Sequence, residues 1–363
     1  MIVGVLGGGQ LGRMLALAGY PLGLQFRFLD PAPDAPAGQL AELMVGAYDN
    51  AALLEQFVCG VDVVTYEFEN VPVATVQMLG RHVPIYPPPK ALEVAQDRLT
   101  EKQFFQGLGI PTPPFAPVDT FIDLTAAIAV IGLPAVLKTR RFGYDGKGQV
   151  IVRTAEDVAE AWAKLGGAGL IVEGFIPFER ELSILAVRSR SGATVFYPLV
   201  ENSHRDGILR RSIAPALGLQ HSLQEQAETY SASILCELDY VGVLAVEFFE
   251  TGGTLIANEM APRVHNSGHW SIEGAVTSQF ENHLRAVLDL PLGSPAVEGY
   301  AAMVNLIGTA PEPAMVLALP DAHLHLYGKE PRPNRKLGHI TLCAADRPTL
   351  DARLAQLQSS LPS

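Results

Sequence analysis

Four short apolar runs open the chain, at 2–7 (IVGVLG), 24–30 (LQFRFLD), 42–48 (ELMVGAY) and 62–67 (DVVTYE). Stretches with helical spacing of their apolar positions intervene or follow at 11–19, 50–58 and 73–80. This alternation predicts parallel strands joined by crossover helices, a three-layer α/β unit. The unit ends at 84–89 (PIYPPP), where four prolines exclude a central strand and predict a linker.

Past residue 90 the pattern changes. A polar helix is expected over 90–107, followed by AVLK (135–138), VIVR (150–153), LIVEGF (170–175), LSILAVRS (182–189) and TVFYPL (194–199). Loops rather than helices separate the later runs, so antiparallel pairing is expected there. A long helical stretch (221–238) precedes GVLAVEFFE (242–250) and TLIANEMAP (254–262). A second linker is expected near 290–300, and then a smaller β-rich tail with AMVNLIG, HLHLYGK and GHITL.

Composition narrows the class. A chain of 363 residues with 48% apolar and 18% charged residues can bury two or three cores, which excludes general disorder. The net charge of −12 disfavours nucleic acid as a partner, though a nucleotide can arrive with its own metal ion. Cys59, Cys236 and Cys343 are widely separated with no CxxC, which points to a reducing compartment. The N-terminus lacks a basic leader, and an uncharged run such as Thr125–Leu137, which contains Pro134, is too short to span a bilayer. The expectation is a cytoplasmic protein without a membrane partner.

Gly7, Gly9 and Gly12 satisfy GxGxxG between a strand and a helix, and Asp30 closes the second strand. That is the dinucleotide pattern, with glycines for the tight turn and an acid for a ribose hydroxyl. The plainer reading is crowding of strand, turn and helix, which also needs small residues.

The hairpin signal Thr251-Gly252-Gly253-Thr254 sets Glu247 and Glu259 six residues either side of Gly253, across from each other to within about one residue. Two carboxylates about 4 Å apart repel by about 4 kcal/mol at an effective dielectric near 20, so a shared proton or a divalent cation is required. Asn258 adds a further oxygen, and hard oxygen donors suit Mg²⁺ bridging phosphates. The alternative is that one glutamate faces solvent, because register decides the face.

Residues 140–149 (RRFGYDGKGQ) join two strands and fail the P-loop template, since Gly148 follows Lys147. Such a loop can still close over phosphates through backbone N–H groups, with Lys138 reaching a phosphate oxygen; otherwise it is an ordinary hairpin. His265 and His269 have i, i+4 spacing, but Asn266-Ser267-Gly268 between them argues for a loop and against a zinc pair. Lys329, Arg332, Arg335 and Lys336 concentrate positive charge in an acidic chain, which suits either a phosphate monoester or a solvated face. His323 and His325 read as structural.

Taken together, GGGQLGRM, YEFENVP, QDRLTEK, GYDGKGQ, FYPLVEN, DGILR, NEMAPRVHNSGHW and RKLGH resemble the ATP-grasp ligases, and among them the 5-(carboxyamino)imidazole ribonucleotide synthase family. The resemblance covers nearly the whole chain. It implies an α/β and α+β fold with a Rossmann-like N-terminal domain over 1–90. An ATP-grasp domain follows over 91–292, with a lid at about 112–175, and a small β-rich C-terminal domain over 293–363.

By position, the resemblance assigns ATP to Arg98, Lys138, Gly143, Tyr144, Asp145, Gly146, Lys147, Gly148, Gln149, Glu173, Gly174, Phe175, Ile176, Glu181, His204, Asn258 and Glu259. It assigns Mg²⁺ (or Mn²⁺) to Glu247 and Glu259, and the ribonucleotide to Gln10, Leu11, Glu67, Tyr144, Ser267, Lys329, Arg335 and Lys336. Asp145, Arg263, His265 and Asn266 would be catalytic. The implied reaction takes ATP, bicarbonate and 5-aminoimidazole ribonucleotide to the carbamate through carboxyphosphate, in a homodimer. The chain departs from the family at Phe142, where Gly is more usual, so lid flexibility is in question there. A formate-using glycinamide ribonucleotide transformylase shares the scaffold, and a nicotinamide-dependent dehydrogenase is favoured by the first glycine loop alone.

Overall fold

The structure, a computed structural model, describes residues 1–143, 146–167 and 169–360. The N-terminal unit runs β1 (Ile2–Leu6), α1 (Gln10–Gly19), β2 (Gln25–Asp30), β3 (Glu42–Val45), α2 (Ala51–Val58), β4 (Val63–Tyr66) and α3 (Val73–Leu79). Its strands form one parallel sheet in the order β3-β2-β1-β4. Val3, Val5, Leu6, Val64 and Tyr66 are fully buried, as expected where helices cover both faces. The proline-rich segment does not enter the sheet's centre. Ile85 makes a parallel bridge to Val64 at the edge, where the missing proline N–H groups cost nothing.

The expected polar helix over 90–107 is two helices, α4 (Pro89–Ala95) and α5 (Arg98–Gly107). Asp97 separates them because its carboxylate accepts the Leu99 and Thr100 amides and caps α5. Next comes a small sheet from β5 (Phe115–Val118), β6 (Ala135–Thr139), β7 (Gln149–Val152) and β8 (Leu170–Gly174), ordered β5-β8-β6-β7. It is covered by α6 (Phe121–Ile131) and α7 (Asp157–Leu165), and Thr120 and Asp123 close a capping box at the start of α6.

The third sheet has nine strands. It takes β9 (Arg180–Arg188), β10 (Thr194–Phe196), β11 (Val200–Arg205), β12 (Ile208–Ala214), β13 (Gly242–Thr251) and β14 (Thr254–Ala261), with α8 (His221–Glu237) between β12 and β13. After α9 (Ser271–Gly274) and α10 (Gln279–Val287) come β15 (Tyr300–Ile307), α11 (Pro313–Leu317), β16 (Ala322–Leu326), β17 (Lys336–Ala344) and α12 (Arg347–Ser360). The order β14-β13-β9-β11-β12-β15-β17-β16, with β10 beside β9, makes the C-terminal strands a continuation of the central sheet through β12–β15 pairing. The tail's backbone groups are therefore satisfied by the preceding strands rather than by a sheet of its own. Among the described residues no helix is long and apolar enough to cross a membrane.

Candidate active site

The hairpin of β13 and β14 turns through Gly252 and Gly253, both at positive φ (+56° and +72°), which only glycine adopts without strain. From Thr251↔Thr254 to Phe248↔Ala257 the register is regular. A bulge then leaves Asn258 without a partner, so Glu247 pairs directly with Glu259. Directly opposed residues share a face, so both carboxylates reach one cavity with the Asn258 side chain.

β14 is an edge strand, and α5 grips its outer side around the bulge. Glu101 Oε1 accepts the Met260 amide at 2.7 Å, and Lys102 Nζ donates to the Asn258 carbonyl at 2.5 Å and the Ala257 carbonyl at 3.3 Å. Lys102 is almost fully buried and lies 3.6 Å from Glu173, which pairs with Lys138 at 2.9 Å.

These contacts set the charges. Burial opposes ionisation of Glu173, but Lys138 and Lys102 outweigh it and bring its pKa down to about 2. Glu247 has only a like charge opposite, and burial followed by Glu259 pushes it up to about 7. Burial would lower His204, yet its 2.8 Å hydrogen bond to Glu181 and the nearby Glu247 leave it above the usual histidine value. His265 is pushed well below that value by burial and by Arg263. It is therefore neutral: Nδ1 accepts the Ser267 amide at 3.3 Å, and Nε2 lies 3.6 Å from Glu247.

Two adjoining cavities result. The smaller, about 230 Å³, is lined by Lys138, Gly146, Lys147, Gln149, Glu173, Gly174, Phe175, Ile176, Glu181, His204, Glu247 and Asn258. The larger, about 450 Å³, is lined by Gln10, Leu11, Glu67, Glu69, Gly143, Arg263, His265, Asn266 and Lys336. Arg98 and Glu259 line both. Gly148 lines neither cavity; its carbonyl accepts the Thr139 amide at 2.8 Å. Tyr144 and Asp145 lie outside the described residues. Both Asn266 side-chain polar atoms are buried without a partner among the described residues, at the wall of the larger cavity.

Three expected ribonucleotide contacts sit differently. Ser267 is fully buried, its hydroxyl bonded to Ser183 and to His265 Nδ1, so it orients the histidine rather than facing the cavity. Lys329 donates to the Gln10 side chain at 2.5 Å. Arg335 holds the Glu330 carbonyl at 3.3 Å.

The glycine loop has its own anion. Glu67 accepts the Gly9 amide at 2.6 Å and the Gly12 amide at 2.8 Å, filling the cradle a pyrophosphate would need. A Cβ on Gly9 would stand 2.4 Å from Glu67 Oε1. Asp30 is likewise taken, accepting the Gly8 amide at 2.7 Å and the Ala32 amide at 2.8 Å. The nicotinamide reading fails because Glu67 fills the loop's amide cradle and Asp30, the acid it would recruit, is spent on the loop itself.

Sequence reading missed the bracket of Glu101 and Lys102, the pairing of Asp97 with Arg140, and the ion pair of Glu69 with Arg263. The density of charge in QDRLTEK was the available signal, since a helix start so charged must either face water or meet partners.

The ribonucleotide synthetase preATP-grasp domain matches residues 1–96, the ATP-grasp domain 103–280, and the phosphoribosylaminoimidazole carboxylase C-terminal domain 301–353. The chain is 57% identical over 359 residues to N5-carboxyaminoimidazole ribonucleotide synthase of Pseudomonas aeruginosa, covering 99% of each. The crystal structure of the Thermus thermophilus synthetase superposes with a TM-score of 0.96 at 61% identity, covering 99% of each chain. The Aspergillus clavatus synthase, in complex with ADP and 5-aminoimidazole ribonucleotide, superposes with a TM-score of 0.93 at 32% identity, covering 99% of this chain and 98% of that one. An ATP-grasp domain carrying a bulged carboxylate pair, full-length similarity and matching folds at both ends leave one conclusion: the chain belongs to the N5-carboxyaminoimidazole ribonucleotide synthase family of ATP-grasp ligases.

Proposed function

We infer that the chain carboxylates 5-aminoimidazole ribonucleotide on its exocyclic amine, consuming ATP and bicarbonate and releasing ADP and phosphate, as a step of purine biosynthesis. The observation that carries this reading is the pair of cavities with Arg98 and Glu259 lining both. A nucleotide in the smaller and a ribonucleotide in the larger would meet at those two residues.

The residues then divide the work. Lys138, held by Glu173 at 2.9 Å, presents its ammonium to the phosphates, and the Gly143–Gln149 loop closes over them. Glu247 and Glu259 fit a divalent ion, because burial and the opposed charge raise Glu247 even with Arg98 3.9 Å from Glu259, and Asn258 adds an oxygen beside the pair. Glu247, Glu259 and Asn258 would hold such an ion, and Mg²⁺ held there would supply neutralisation of phosphate charge. Bicarbonate attacks the γ-phosphorus with ADP leaving, the carboxyphosphate so formed decays to carbon dioxide and phosphate, and the amine adds to the carbon dioxide with loss of a proton. Neutral His265 and the Asn266 amide, which has no partner among the described residues, are suited to hold the bicarbonate end, and Arg263, paired with Glu69, adds positive charge. Asp145 orients the amine or takes its proton. Lys329, Lys336 and Arg335 bind the ribonucleotide phosphate.

The reading includes a cytoplasmic homodimer, which sedimentation of the purified protein tests, and domain limits at 1–90, 91–292 and 293–363. The decisive experiment is ADP release in four mixtures, with and without bicarbonate and 5-aminoimidazole ribonucleotide. Release that needs bicarbonate and rises with the ribonucleotide supports it. Release that follows formate instead transfers the chain to a sister reaction.

A further inference from the structure

The lid loop is held at its base by three consecutive residues. Asp97 accepts from Nε and Nη2 along one edge of the Arg140 guanidinium, at 3.0 and 2.8 Å, and Arg98 donates to the carbonyls of Thr139 at 3.0 Å and Gly143 at 3.3 Å. The third residue, Gln96, is different because it faces two ways. Its carboxamide oxygen accepts from Arg141 at 2.8 Å, while its nitrogen donates to the carbonyls of Glu69 at 2.8 Å and Val71 at 2.7 Å. A primary amide has two donors and one oxygen, so both donors serve one segment and the acceptor serves another. Gln96 is nearly buried, which makes each of these bonds costly to leave unmade.

The two segments are functionally distinct. Glu69 and Asn70 belong to the wall of the larger cavity, where Glu69 also holds Arg263, and Val71 is buried just behind them in sequence. Arg141 leads into the lid, and its guanidinium lies 6.0 Å from the Phe142 ring. Phe142 is 71% exposed at the mouth of the same cavity and sits at φ +61°, a backbone conformation that a side chain with a Cβ rarely adopts. A strained, exposed ring whose neighbour is anchored to the cavity wall is placed to take a different position when that wall moves.

We propose that Gln96 is a positioning residue that couples the ribonucleotide cavity to the lid through Arg141, so that phosphoryl transfer is favoured when the ribonucleotide is in place. The proposal rests on the functional reading above. It answers a chemical need of that reaction: carboxyphosphate formed with no amine beside it is lost to water, and one ATP is wasted each time.

The test is stoichiometry. ADP release and carbamate formation are measured with and without ribonucleotide for the unaltered chain, Gln96→Ala, Gln96→Glu, Arg141→Ala and the double variant Gln96→Ala/Arg141→Ala. Glutamate at 96 keeps an acceptor for Arg141 but removes the donors to Glu69 and Val71, so it should uncouple as alanine does. The factor by which ribonucleotide stimulates ADP release should fall about fivefold or more in each single variant, the lower bound of common coupling strengths, with more ADP released per carbamate formed. The double variant should lose little beyond either single one. Single variants that slow both rates together at unchanged stoichiometry, or losses that add in the double variant, overturn the proposal. If Gln96 variants fail to fold, Arg141→Ala, at an exposed position, decides alone. An unaltered chain without bicarbonate-dependent ADP release removes the functional reading and this inference with it, an outcome distinct from coupled release that the variants leave intact.

Discussion

Glu247 stands directly opposite Glu259 because Asn258 bulges out of the ladder between them. With regular pairing Glu247 would oppose Asn258, and the two acids would point to opposite faces of the sheet. The bulge thus creates a like-charge pair that burial makes unfavourable and a cation relieves. Glu259→Gln should abolish bicarbonate-dependent ADP release while leaving ribonucleotide binding measurable by calorimetry. Glu247→Gln should raise the Tm of the metal-free protein by a few degrees and erase the further rise on adding Mg²⁺. Normal turnover in the first variant, or a metal-free Tm that falls in the second, contradicts the assignment.

Glu67 acts as a built-in anion for the glycine loop, and through that loop it fixes Gln10 and the lysine that Gln10 accepts from, Lys329. Replacing it with alanine leaves the Gly9 and Gly12 amides without a partner, at about 1–3 kcal/mol each where they are buried. Glu67→Ala should therefore raise the ribonucleotide KM much more than the ATP KM. Added formate or acetate should recover part of the loss by occupying the vacated cradle. Equal rises in both KM values with no rescue would show that the carboxylate serves the fold alone.

The positive charge of the C-terminal strands is not equivalent from residue to residue. Lys336 lines the larger cavity and Lys329 touches Gln10, whereas Arg335 is engaged with the Glu330 carbonyl. Alanine at Lys336 or Lys329 should raise the ribonucleotide KM at least tenfold, by the ~1.4 kcal/mol that loss of a charge-assisted contact readily exceeds. Arg335→Ala should do less, and the ATP KM should change little in all three. Steady-state kinetics with each substrate varied in turn checks the ranking, and an Arg335 effect larger than that of Lys336 reverses it.

The strands of the first unit were legible because a buried parallel strand is apolar along most of its length, and 2–7 and the Val63–Tyr66 part of 62–67 show this without help from distant residues. The carboxylate pair was legible to within a residue because a glycine turn counts outward in both directions, but the bulge that completes the pairing has no local mark. Lys102 was illegible. A lysine between Glu101 and Gln103 on a charged helix reads as solvent-facing, and only the fold brings it to the carbonyls of Ala257 and Asn258, more than 150 residues away. The joining of the tail to the central sheet was hidden for the same reason, since β12 and β15 are neighbours across some 90 residues of chain. The bonds from the Gly9 and Gly12 amides to Glu67 were hidden too, because nothing nearby in sequence indicates that the glycine loop lies against it.

Glu173 carries a pH dependence that can be separated from catalysis. Its carboxylate is ionised in the folded state because Lys138 at 2.9 Å and Lys102 at 3.6 Å outweigh its burial, which holds its pKa at about 2 against 4.5 for a free side chain. A depressed carboxylate stabilises the fold fully above the unfolded value, and that stability is lost as the pH falls from about 4.5 towards 2, where the folded group takes up its proton. The shift corresponds to a contribution on the order of 3 kcal/mol. Glu173→Gln should therefore lower stability to urea at pH 7, and the gap between the variant and the unaltered protein should narrow steadily below pH 4.5. Urea midpoints measured across that range provide the check. A gap that stays constant down to pH 3 would mean that Lys138 and Lys102 are not what keeps Glu173 charged.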